Sequence, residues 1–147
     1  MKHFHVKVNP PKHQLIKEVI WSSTINLGVT SALNSKLIAA MLAIEIANFK
    51  NWRNLWLETD SMLVYLAFKS SKIVPWNLRN RWDNCLFLLS SLNLCVTHIF
   101  REDNQCAYQL ANLGLTLSSY SWFNNVPPQV NVKFVRNKIG FPNYRFC

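Results

Sequence analysis

Apolar residues recur every three or four positions between residues 31 and 51. This spacing places them on one face of an α-helix and predicts a helix over residues 31–51, which Ser31 or Asn34 could cap. A similar apolar stripe predicts a helix over residues 77–92. The same reasoning predicts two shorter helices, one from Asp60 or Ser61 to about Lys69 and one over residues 105–114.

Two short segments are apolar enough to be buried β-strands: NLWLET, residues 54–59, and LCVTHIF, residues 94–100. The alternation in HFHVKV predicts a short strand before Pro10, and QLIKEVIW, residues 14–21, is a further candidate strand. The order helix, strand, helix, helix, strand, helix predicts an α/β layer with parallel strands. Two central strands make a small sheet, so part of the sheet is expected to be missing from the front half.

The composition fits one globular domain, with 147 residues, 50% hydrophobic and 16% charged. The formal net charge is +9, and both ends are basic. Residues 1–17 hold four lysines and no acid, and residues 104–147 hold four basic residues and no acid. Such ends favour a polyanionic partner, nucleic acid first, while a basic surface without a specific partner explains the charge equally well.

Membrane, secretory and zinc-binding classes are not expected. No apolar run is long enough to span a bilayer, and the N-terminus has no apolar core of signal-peptide length. We therefore expect an intracellular protein, in the nucleus or the cytoplasm. The four cysteines form no Cys-x-x-Cys pair, so free thiols are expected rather than a zinc site.

Two motifs carry a family resemblance. ETDS, residues 58–61, precedes HIFREDNQCA, residues 98–107. Together with IVPWNLRNRWDNC they resemble the ribonuclease H-like domains of plants, which are related to the ribonuclease H portion of non-LTR retroelements. The resemblance runs from about Asn26 to the C-terminus. It implies a mixed sheet in which an antiparallel meander of three strands is followed by two parallel ones, here NLWLET and LCVTHIF.

The resemblance also implies that this fold is incomplete. IKEVIW resembles the segment before the family's first strand, and NLGVTSALNSKL resembles the turn into the first helix. Only residues 22–25 lie between them, so the first three strands are expected to be largely missing. The implied organisation is a basic arm and remnant linker over residues 1–25, a partial ribonuclease H-like domain over 26–117, and a basic aromatic tail over 118–147.

The family cuts the RNA strand of an RNA–DNA hybrid with two magnesium ions held by four acids. Here Asp60 matches one of them. Lys36 stands where the family has the Glu of Ala-Glu-Leu, and Tyr108 stands where it has the Asp of Asn-x-x-Ala-Asp. The acid of the first strand has no counterpart. One acid holds magnesium weakly, so no cofactor is expected here, and Asp60 is a doubtful metal ligand.

Other acids do not complete this set. Glu45 lies nine positions after Lys36, which is half a turn out of phase on a helix. Glu58 shares a strand face with Asp60 but is weak support for a metal site, and Glu102 and Asp103 could reach a metal only loosely. We hypothesise that a Lys36–Asp60 pair replaces the metal site. The simpler alternative is that Lys36 extends into solvent.

Basic and aromatic residues gather at the start of the helix predicted over 77–92: Trp76, Arg79, Arg81 and Trp82. Such residues suit phosphate contact and base stacking, and related bacterial and mammalian enzymes carry a basic protrusion in this region. A buried role is expected for Trp82, which lies on the apolar stripe. Arg101 and Asn104, at the rim of the ancestral active site, are further candidates for phosphate contact.

Three interpretations follow. The first is a ribonuclease H-like domain that has lost catalysis and binds nucleic acid, an RNA–DNA hybrid or RNA, weakly and with little sequence preference. The second is a working hybrid ribonuclease. The third is a gene fragment without a biochemical role, because a missing strand would expose a sheet edge. The single matching acid favours the first, and it favours the third over the second.

Overall fold

The computed structural model describes His5–Val8, Val19–Trp21, residues 31–101 and isolated helical positions at 109, 128, 129, 131 and 132. The strands are β1 His5–Val8, β2 Val19–Trp21, β3 Asn54–Thr59 and β4 Asn93–His98. The helices are α1 Ala32–Phe49, α2 Met62–Ala67 and α3 Trp76–Leu88. Two 3₁₀ turns, Ser71–Ile73 and Leu89–Ser91, flank α3.

The described strands form one sheet in the order β2-β1-β3-β4. The two central predicted strands, β3 and β4, pair in parallel from Asn54 opposite Asn93 to Thr59 opposite His98. The α/β class with a parallel pair is therefore confirmed. Strand β3 matches its predicted bounds, and β4 begins one residue earlier and ends two residues earlier than predicted.

The N-terminal strand runs antiparallel to both of its neighbours in the sheet. Strand β1 confirms the short strand expected before Pro10, and it pairs antiparallel with both β2 and β3. The beginning of β1 therefore lies at the end of β3 that Asp60 follows, with His5 opposite Glu58. The segment His5–Val8 contains no acid.

Helix α1 begins and ends through local chemistry. The Ser31 hydroxyl accepts a hydrogen bond from the backbone N–H of Asn34 at 3.1 Å, which confirms the predicted cap. After the helix, Asn51 adopts a left-handed conformation with φ of 54°, which asparagine tolerates better than most residues. The Trp52 N–H then donates to the carbonyl of Ala47 at 2.9 Å, and the chain turns into β3.

The core lies between α1, α3 and the helix-facing side of β3. Leu37, Met41 and Ile44 of α1 are buried against Leu55 and Leu57 of β3. By length and apolar composition α1 could cross a membrane. Its apolar face is nevertheless accounted for by this packing, because it supplies much of the core among the described residues.

Trp82 is the largest side chain of the core. It is fully buried, and its ring lies 4.8 Å from that of Phe68, which follows α2. Its burial confirms the role predicted from the apolar stripe. Trp82 therefore packs α3 against the C-terminal end of α2, the helix that follows Asp60.

We predict that Trp82→Ala lowers the free energy of unfolding by about 3–5 kcal/mol, because it leaves a cavity in a close-packed core. Phe87→Ala, on the same helix but 77% exposed, should change it by less than about 0.5 kcal/mol. Chemical denaturation followed by circular dichroism measures both. Equal effects of the two substitutions would contradict this packing.

Candidate functional site

Asp60 lies directly after β3, at the carboxyl end of the parallel pair. The backbone on both sides of it is fixed. The Ser61 N–H donates to the Thr59 hydroxyl at 3.1 Å, and the Ser61 hydroxyl caps α2 by accepting from the N–H of Val64 at 3.4 Å. The Ile99 N–H donates to the Thr59 carbonyl at 2.9 Å, so the end of β4 is held beside the end of β3.

A lysine ammonium occupies one side of the Asp60 carboxylate. Lys36, in the first turns of α1, places its Nζ 2.5 Å from Asp60 Oδ1, and each of the two side chains is only 13% exposed. Arg101 Nε lies 3.8 Å from Oδ2, while the Arg101 side chain is 76% exposed. Each carboxylate oxygen therefore faces a cation, and the Lys36 side chain does not simply extend into solvent.

This arrangement does not fit a magnesium ion. Magnesium requires several oxygen ligands in near-octahedral geometry, and an ammonium now lies against the one matching acid. Within residues 31–101 and the other described positions, no group of three or more His, Cys, Asp or Glu residues is placed to hold a metal. The arrangement instead contains a carboxylate whose charge is balanced by Lys36, with Arg101 close to its other oxygen.

The two other candidate acids that the structure describes, Glu45 and Glu58, do not form a metal-binding group of three with Asp60. Glu45 accepts two hydrogen bonds from Arg81, at 2.8 and 2.7 Å, so it faces α3. Its helical phase predicted only that it points away from the side of Lys36. Glu58 is buried and participates in its own interactions. Glu102 and Asp103 lie outside the described residues.

The Glu45–Arg81 pair connects α1 to α3. The hydrogen bonds that Arg81 donates to Glu45 raise the pKa of Arg81, which keeps the guanidinium charged. Cys85, one turn further along α3, lies beside the same carboxylate, with its Sγ 3.8 Å from Glu45 Oε1. The pKa of the Cys85 thiol is raised from 9.0 to about 12, mainly by burial and secondarily by the negative charge of Glu45.

The candidate nucleic-acid ligands divide into separate groups. Arg81 is engaged with Glu45, and this geometry favours a structural role for it. Arg79 donates to the carbonyls of Val74, at 3.0 Å, and Lys72, at 3.5 Å, and so it holds the turn before α3. Arg101 lies beside Asp60, whereas Asn104 and Tyr108 lie outside the described residues.

Sequence reasoning missed two exposed lysines in the segment between α2 and α3. Lys69 lies over the Tyr65 ring, 5.5 Å from its centroid, and Lys72 precedes the start of α3. A signal for them exists in the sequence, because residues 61–82 contain no acid and four basic residues.

Comparison with protein families identifies residues 17–114, two thirds of the chain, as reverse transcriptase-like. The chain belongs to the reverse transcriptase-like family. This family is ribonuclease H-like, which confirms the recognised family at that level and associates the domain with nucleic acid. The matching segment contains every described element from β2 to β4, whereas β1 precedes it. Comparisons with curated proteins and with solved structures found no match.

We predict that Lys36→Met destabilises the protein by roughly 2 kcal/mol or more, because it leaves the Asp60 carboxylate largely desolvated without its ammonium. The loss should be smaller than the about 3–5 kcal/mol of a fully buried pair, since both side chains keep some solvent contact. Denaturant unfolding at neutral pH measures it. Lys72→Met, at an exposed lysine, is the matched control.

A double variant makes this prediction specific. Lys36→Met combined with Asp60→Leu removes both charges and should restore much of the lost stability. A folded state that is equally stable with Lys36→Met alone would show that the pair contributes nothing.

The cysteines give a second prediction. Cys85 is buried with a raised pKa, so its thiol stays protonated and unreactive at pH 8, whereas Cys95 is exposed. Titration of the native protein with a chromogenic disulfide should lose one rapidly reacting thiol in Cys95→Ser and none in Cys85→Ser. Loss of a rapid equivalent in Cys85→Ser would contradict the described environment.

Proposed function

We propose that this protein is a nucleic-acid-binding domain of ribonuclease H-like ancestry that does not cleave its ligand. The observation that carries the proposal is the ammonium of Lys36 against Asp60 at the carboxyl end of β3. Two-metal cleavage needs carboxylates that converge on the metals. Here the matching acid is engaged by a cation of the protein itself.

The family supports the binding half of the proposal. A ribonuclease H-like family is associated with nucleic acid in general, and the formal net charge of +9 suits a polyanion. The partner we propose is an RNA–DNA hybrid or RNA, contacted through its phosphates. Such contact tolerates sequence changes and weakens as salt rises.

The incompleteness of the domain belongs to the same proposal. We infer that the first three family strands are largely lost and that β1 covers the edge of β3 instead. Pairing of His5 with Glu58, Val6 with Leu57 and Lys7 with Trp56 supports this inference. An edge covered in this way favours a folded domain over an inert fragment, because unpaired strand edges promote aggregation.

The test combines cleavage and binding in one experiment. The purified full chain is mixed with an end-labelled RNA–DNA hybrid in magnesium buffer, and products and mobility shift are followed across a salt series. We expect a shift that weakens as salt rises, with no cleavage. Arg101→Ala should weaken the shift modestly, by removing one exposed phosphate contact.

The alternatives give distinct outcomes. Cleavage that is abolished by Asp60→Asn would show a working hybrid ribonuclease and overturn the proposal. Absence of any shift at low salt, from a protein that circular dichroism shows to be folded, would remove the binding function. A protein that does not fold would indicate the fragment interpretation.

A further inference from the structure

Trp76 exposes an aromatic side chain at the start of α3. Its side chain is 87% exposed, whereas Trp82 on the same helix is fully buried. Tryptophan is the largest apolar side chain and is usually mostly buried. An indole presented to solvent adds little to the core and is accessible to a ligand.

The backbone before Trp76 is held firmly. Val74 is buried in the core, and its carbonyl accepts a hydrogen bond from the Arg79 guanidinium at 3.0 Å. Pro75 then forms the N-cap of α3 with φ of −55°, close to the value that its ring imposes. Trp76 follows as the first residue of α3. The turn and the helix therefore fix the direction in which its Cα–Cβ bond leaves the backbone.

The chain on both sides of Trp76 carries several basic residues and no acid. Lys69, Lys72 and Arg79 are all exposed, and no acid occurs between Asp60 and Asp83. Arg79 remains exposed while it holds the turn. An aromatic ring among exposed cations combines a surface for base stacking with attraction for phosphates.

From these observations we infer that Trp76 is a stacking platform for unpaired bases and that this protein prefers single-stranded nucleic acid to a duplex. The inference rests on the proposed function and specifies its ligand. In a duplex the base faces are already stacked on one another and leave little for an indole to cover. In a single strand every base offers a face, while Lys69, Lys72 and Arg79 attract the neighbouring phosphates.

The experiment measures affinity for single strands and for a duplex of equal length. Fluorescein-labelled oligouridylate and oligothymidylate are compared with the corresponding RNA–DNA hybrid by fluorescence anisotropy at constant ionic strength. The wild-type full chain should bind the single strands more tightly. Trp76→Ala should weaken single-strand binding by about tenfold and change hybrid binding much less.

Three variants separate stacking from other effects. Trp76→Phe keeps an aromatic face and should retain most of the single-strand affinity. Phe87→Ala removes a similarly exposed ring, 77% exposed, from the far end of α3 and should leave both affinities unchanged. Lys72→Ala should weaken binding to both ligands alike, because a phosphate contact does not distinguish them.

The outcomes distinguish this inference from the proposed function. If the wild-type protein binds neither ligand, the proposed function fails, and this inference fails with it. If it binds but Trp76→Ala behaves like Phe87→Ala, or if the hybrid is bound more tightly than the single strands, only the stacking inference is overturned. Thermal unfolding of Trp76→Ala should match the wild type, since the residue is exposed.

Discussion

The pair between Lys36 and Asp60 is the interaction on which the arrangement of this domain depends. A carboxylate at the carboxyl end of β3 is 13% exposed and needs a partner of opposite charge. Here that partner is Lys36, a side chain of α1. The pair also fixes where the first turns of α1 lie relative to the end of β3, and the rest of α1 carries much of the described core.

A lysine beside this carboxylate differs from a metal ion in what it offers to a ligand. A metal site attracts phosphates only while it is loaded, whereas an ammonium belongs to the chain permanently. Glu45 likewise forms an ion pair with Arg81 between α1 and α3. With two acids engaged inside the domain, the cations at its exterior face solvent with few acids among them. That distribution of charge supports the proposed binding of nucleic acid, which requires no metal.

Much of the parallel pair and of the candidate site could be predicted from the sequence, because both depend on local patterns. NLWLET is short and apolar and ends in polar residues, so its bounds as a strand were clear. The resemblance sets Lys36 at the position of a family acid, and this led to the hypothesis that it pairs with Asp60. The apolar stripe distinguished Trp82 as a core residue.

The remaining features depend on long-range contacts that no local pattern records. Arg81 looks like an exposed phosphate ligand in the sequence, yet its partner is Glu45, 36 positions away. The antiparallel direction of β1 could not be predicted from the sequence either, because a strand with alternating apolar residues can pair in parallel or antiparallel orientation. The resemblance could not supply it either, since β1 lies outside the segment that matches the family.

The pairing of β1 has a consequence for the order in which the chain folds. Its contacts with β2 are local, since Val8 pairs with Val19 only eleven positions away, but its contacts with β3 join His5 to Glu58 across 53 positions. Closing the longer loop costs more chain entropy, and that cost is offset only when a formed β3 edge is available. We expect α1, β3, α3 and β4 to assemble first and the β1–β2 hairpin to dock late. The slowest step in folding would then be the attachment of a segment that lies partly outside the ancestral domain.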